Sequence, residues 1–185
     1  MGGMTFRLAA LVATTALATV AAAGCGGSET AAPATTQAAT AGSSLPVVSC
    51  NASIGGARYS GTENGNRVVL DGVSVPPDPP EGASPSGTKG WPYFAEVGVI
   101  LRVDQPPVDV SVPKASRTGA AISWDQSKPV PAVRFETCPS LGLAWNAYAG
   151  GIYLKERTAC VPLTFQVGER SETLRIGIGE RCKPA

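Results

Sequence analysis

The chain contains no histidine. That absence excludes Ser-His-Asp and Cys-His nucleophilic arrangements, His-ligated zinc, and the usual general base near neutral pH. Paired carboxylates or a Ser-Lys pair remain open as chemistry, and no motif marks either, so no catalytic residue is assigned. Surplus charge is missing too: 15 basic residues stand against 14 acidic ones. This balance gives no electrostatic reason to expect a nucleic acid partner. No two cysteines have the close C-x2-C spacing of thiolate metal sites. No D-x-D-x-D-like run offers converging oxygens for calcium. Neither a metal nor a cofactor is therefore expected. Outside the first residues no segment keeps a helical period over three turns, and there is no internal repeat.

The N-terminus, MGGMTFRLAALVATTALATVAAAGC, reads as an address. Arg7 precedes an uncharged apolar run from Leu8 to about Val20, followed by small residues. This is the pattern of a secretory signal peptide over residues 1–24, and the run is short for a membrane span. Ala22-Ala23-Gly24-Cys25 resembles a bacterial lipobox, although Ala22 replaces the commoner leucine. The resemblance implies cleavage before Cys25, lipidation of its thiol, and a cell-membrane location on the extracytoplasmic face. An ordinary secretory signal with an incidental cysteine is the alternative. Residues 25–44 follow as a tether rich in Ala, Thr, Ser and Pro, with one charge, Glu29, and nothing large to bury. Such a stretch cannot offset its ordering entropy and is expected to be disordered.

One domain is expected over residues 45–185, long enough for an ordinary core. Its clearest element is a hairpin. Val161, Leu163, Phe165 and Val167 alternate with polar or small partners, as do Leu174, Ile176 and Ile178 beyond the polar Gly168-Glu169-Arg170-Ser171. Period-two alternation on both sides of a polar turn marks two strands with one buried face. Further short strands are expected at Arg67–Asp71, extending through Val73 and Val75, at Val97–Val103, Val108–Val112, Ala120–Trp124, Val133–Thr137 and Gly151–Leu154. Pro76–Gly90 reads as a mobile surface loop. Seven to nine short strands with Pro and Gly punctuation predict an all-β fold, an antiparallel β-sandwich of immunoglobulin-like arrangement, with a jelly roll or small barrel as the alternative.

With Cys25 assigned to lipid, four cysteines remain: Cys50, Cys138, Cys160 and Cys182. An even number outside the cytoplasm reads as two disulfides. Cys138–Cys160 with Cys50–Cys182 is favoured because its short loop closes easily. Cys160–Cys182 with Cys50–Cys138 would lock the open end of the hairpin instead. Regular strands would place residues 138 and 160 at opposite ends of the sheet, which argues for that second pairing.

The segments WPYFAEVGVILRV, F-x-x-C-P, WNAYAGGIYL, ACVPL and GIGERC resemble a group of secreted proteins and lipoproteins of high-GC actinobacteria. The resemblance covers about two thirds of the mature chain. It implies a small exported domain in a Gram-positive-type envelope, and no activity.

Trp91, Tyr93, Trp145 and Tyr148, with Phe94 and Tyr153, are candidates for a binding face that stacks sugars or meets a protein; the alternative is that they fill the interior. Gly150-Gly151 reads as a bulge or a turn with positive φ, or as a close approach for a ligand. The expected function is a non-enzymatic, membrane-anchored binding domain whose partner is an envelope protein or a wall polymer. A wall-active enzyme or accessory using carboxylates and a structural spacer are the alternatives.

Overall fold

The computed structural model describes residues 44–183, apart from 58–60, 80, 127 and 141. The expected signal peptide, Cys25 and the tether as far as residue 43 lie outside the described residues. Fourteen strands form: β1 Val47–Val48, β2 Gly55–Ala57, β3 Arg67–Val69, β4 Val73–Val75, β5 Ser84–Thr88, β6 Trp91–Glu96, β7 Val99–Arg102, β8 Val108–Ser111, β9 Ala120–Ser123, β10 Ala132–Phe135, β11 Trp145–Tyr148, β12 Gly151–Leu154, β13 Ala159–Val167 and β14 Arg170–Ile178. Among the described residues there is no α-helix, only three single 3-10 turns.

The fold is all-β, built as a sandwich of three open sheets. The first has the order β1-β10-β8-β13-β14, the second β2-β11-β7-β4-β3 and the third β5-β6-β12-β9. All neighbouring pairs are antiparallel except β1 with β10. The second and third sheets share one register. Trp145 pairs with Arg102 and Tyr148 with Val99, and beyond a two-residue break Gly151 pairs with Glu96 and Leu154 with Tyr93. The Val97 amide bonds the Gly150 carbonyl across the break, so the same count is kept. The two sheets are thus two halves of one ladder bent at this point.

Glycine explains the bend. A Cβ on Gly150 would run into the Trp124 ring and the Ser123 carbonyl, and one on Gly151 into the Ala95 carbonyl. Neither glycine has a positive φ, so the reading of a positive-φ turn is corrected: it is close packing against the protein's own backbone that requires them.

One apolar cluster fills the space between the layers. It takes Val110 and Phe135 from the first sheet, Val73 and Val99 from the second, and Ile122 and Ile152 from the third. Trp124, Phe135 and Tyr148 form a chain of edge-to-face rings through it, with centroids 5.7 and 5.0 Å apart. The Trp124 indole N–H donates to the Val97 carbonyl at 3.2 Å, so this buried donor is satisfied. Residues Gly42–Ala185 form a compact unit that holds this entire core.

The last hairpin matches expectation. Val161 pairs with Ile176 and Leu163 with Leu174, and Gly168 at φ 59° opens a two-residue turn. Two other segments differ. The strand expected over residues 67–75 is a hairpin, because Leu70 and Asp71 turn the chain with φ of 51° and 61°. The loop expected over residues 76–90 contains β5, which pairs with β6 as an edge strand.

Candidate functional site

Two disulfides join Cys50 to Cys138 and Cys160 to Cys182, with Cα atoms 5.6 and 5.2 Å apart. The favoured pairing of Cys138 with Cys160 is corrected, and the sheet gives the reason. β10 and β13 both run antiparallel to β8, so they are parallel to each other. Cys138 follows the end of β10, whereas Cys160 stands near the start of β13, at the opposite end of the sheet. β1 and β10, by contrast, leave the sheet side by side, with Val48 opposite Phe135, which delivers Cys50 to Cys138.

The candidate aromatics separate into two groups. Tyr148 is 2% exposed, and its hydroxyl lies 3.1 Å from the Cys138 sulfur. Burial first, and the charge of Glu136 second, push its ionisation above the ordinary tyrosine range. Trp145 is 6% exposed and lies so close to Gly61 that a Cβ there would sit 2.8 Å from the indole ring. Neither residue is available to a binding face, and the interior reading applies to both. Tyr93 points inward and packs partly buried against the core.

The remaining aromatics gather at the third sheet. Phe94 and Tyr153 are cross-strand partners with ring centroids 4.8 Å apart, tilted by 51°. They alternate with the inward Ala95, Ile152 and Leu154, so their side chains stand on the outer face. Lys155, two residues beyond Tyr153, places its ammonium 4.5 Å from the centre of the Trp91 ring and donates to the Gly90 carbonyl. Phe94 and Tyr153 therefore form a short, partly exposed aromatic row on the outer face, while Trp91, which shares the strand parity of the inward Tyr93 and Ala95, meets Lys155 at the end of β6. Ser84 and Ala121 are the register partners of Phe94 and Tyr153 on the flanking strands, Ser84 exposed and Ala121 buried. Such rings offer apolar faces for stacking and a fixed positive charge beside them.

No match to this chain was found among protein-family models, curated proteins or solved structures.

Among the described residues no carboxylate is buried, and no group of three or more acidic or cysteine side chains could hold a metal ion. Three of the carboxylates are engaged by arginines. Asp78 pairs with Arg67 at 2.7 Å, Asp71 with Arg170 at 3.2 Å, and Asp109 with Arg134 through two bonds of 2.6 and 2.7 Å. The Asp109 carboxylate holds the Arg134 guanidinium charged to higher pH than usual. Among the described residues, concave surface includes three larger regions. A groove of about 480 Å³ is lined by Ile54, Ile100 and Ala147. A cleft of about 460 Å³ lies beside Arg102, Asp104 and Arg170. The largest, about 780 Å³, is lined by Arg67, Arg175 and Arg181 and carried no signal in the linear pattern.

Proposed function

We propose that this chain is an extracytoplasmic lipoprotein, anchored in the cell membrane by lipid on Cys25, that displays a non-enzymatic binding domain. Its partner is a wall polymer or another envelope protein, and the binding surface is the aromatic row on the third sheet. The observation that carries this reading is the placement of Phe94 and Tyr153 as a cross-strand pair on the outer face of the third sheet, outside the core cluster that the inner face supplies. Two disulfides among the four remaining cysteines suit an oxidising compartment and support export. The lipobox-like Ala22-Ala23-Gly24-Cys25 and the resemblance to exported actinobacterial proteins support the same location.

The test is co-sedimentation of oxidised residues 44–185 with purified cell-wall sacculi and, separately, with detergent-solubilised membrane proteins. Binding in either arm that is lost in a Phe94→Ala/Tyr153→Ala variant supports the reading and identifies the class of partner. No binding in either arm returns the domain to a structural spacer. Binding that the double variant leaves intact moves the site off this face.

A further inference from the structure

The largest cleft opens where the edge strands of two sheets meet, β3 of the second and β14 of the first. Arg67 spans that gap. One terminal nitrogen donates to the Arg175 carbonyl at 3.2 Å and the other pairs with Asp78 at 2.7 Å. Its third donor, Nε, is buried and has no partner among the described residues. That N–H is closed off from solvent, and Arg67 meets the cleft through the exposed third of its side chain. Arg175 and Arg181 line the same cleft and are exposed to solvent. Three arginines against Asp78 and Glu180 leave a surplus of one positive charge, and the Asp78 charge is already engaged by Arg67.

The wall of the cleft is held in place before any ligand arrives. The segment from Gly179 to Lys183 is fastened at three points. The Gly179 amide donates to the Pro79 carbonyl at 3.2 Å, Cys182 is bonded to Cys160, and Arg175 donates to the Lys183 carbonyl at 2.7 Å. Gly179 has φ 67°, and a Cβ there would lie 2.7 Å from Gly82, so the turn demands glycine. Arg181 is thus presented on a fixed strap rather than on a free C-terminal tail.

We propose that this cleft binds a phosphate-bearing ligand through Arg67, Arg175 and Arg181. Guanidinium forks match phosphate oxygens in pairs, and a preformed cluster avoids the entropy of gathering long side chains. The volume exceeds one phosphate group, so the phosphate belongs to a larger molecule. A soluble phosphate ester and an anionic lipid headgroup present the same chemistry.

The experiment uses oxidised residues 44–185, the segment that contains the whole core and both disulfides. Glycerol 1-phosphate is titrated while backbone amide shifts are followed. In parallel, flotation is measured with phosphatidylcholine vesicles with and without phosphatidylglycerol. Saturable shifts confined to Gly65, Asp78 and Gly177–Lys183 identify a soluble ester. Flotation that needs phosphatidylglycerol, with no shifts from the free ester, identifies a headgroup. In either case an Arg175→Gln/Arg181→Gln variant, which leaves the Arg67 tie between the sheets intact, binds at least about tenfold more weakly, since each charged hydrogen bond contributes more than one power of ten. No saturable shifts together with no phosphatidylglycerol-dependent flotation overturns the proposal, as does binding that the double variant leaves unchanged.

Discussion

Leu70 and Asp71 turn the β3–β4 hairpin with φ values of 51° and 61°, a conformation that costs ordinary residues roughly 1 kcal/mol each. Leu70 recovers part of this by packing against the core. Among the described residues Asp71 is held by an ion pair with Arg170, and its side chain is 85% exposed. An exposed pair of this kind contributes about 0–1 kcal/mol, so the strain is the larger effect. Asp71→Gly is expected to raise stability by about 0.5 kcal/mol, read as a higher urea midpoint at unchanged slope. An unchanged or lower midpoint would mean that Arg170 is worth more than its exposure suggests. Tyr148 supports a second prediction at this scale. Its buried hydroxyl ionises above the ordinary value, so the unfolded chain gives up this proton first as pH rises. Between the ordinary tyrosine value near 10 and the raised one, the folded state binds more protons. The contribution of this group is therefore full below pH 10 and declines above it. Unfolding midpoints measured from about pH 9 to about pH 11 should fall more steeply for the native chain than for Tyr148→Phe. Parallel slopes would remove Tyr148 as the cause.

At the scale of elements, the most legible strands were those with one wet and one dry face, and short apolar runs such as Ala120–Ser123 and Val73–Val75, buried on both faces, were also legible as strands. β7, β8, β13 and β14 alternate, and their register follows the pattern. β5 escaped because it is an edge strand with no buried residue, built from Ser, Pro, Gly and Thr. β11 escaped for the opposite reason: Trp145 is buried near Gly61 and Tyr148 in the core, so neither face reads as wet. The cleft arginines come from positions 67, 175 and 181, which only the meeting of two sheet edges brings together. The disulfides were legible as a pair but not in their connectivity, since a two-residue parallel strand sets the first one. Their separations, 88 and 22 residues, also rank them energetically. Loop-closure entropy gives about 4–5 kcal/mol for the longer crosslink and about 3 for the shorter. The longer one also keeps β1, held by only two register pairs, on the sheet. Cys50→Ser/Cys138→Ser should lower the thermal midpoint more than Cys160→Ser/Cys182→Ser. The reverse order would mean that the strap beside the cleft, rather than the β1 edge, limits stability.

In the proposed function, attachment and recognition belong to different parts of the chain. The described domain turns most of its apolar residues into one internal cluster, and its most exposed large apolar side chains are Val47 and Ile54, the latter beside Ile100 and Ala147 in the groove. No helix among the described residues is long and apolar enough to cross a membrane. In the proposed arrangement the attachment is carried at Cys25, at the far end of a tether of nearly twenty residues, while the aromatic row and the arginine cleft remain free to meet partners. Each acyl chain contributes roughly 0.8 kcal/mol per buried methylene; one chain holds only marginally and two hold stably. Lipidation at a lipobox cysteine supplies at least two. The full chain expressed in an actinobacterial host should therefore incorporate a labelled fatty acid and fractionate with membranes. Cys25→Ala should lose the label and move the domain to the soluble or secreted fraction, with its disulfides still formed. The disulfides make the outcome decisive, because they report export independently of the lipid. A labelled chain that turns soluble in the variant assigns attachment to Cys25. A variant that stays with the membrane while oxidised would transfer attachment to the domain, and the phosphatidylglycerol arm of the cleft experiment would then be the place to look for it.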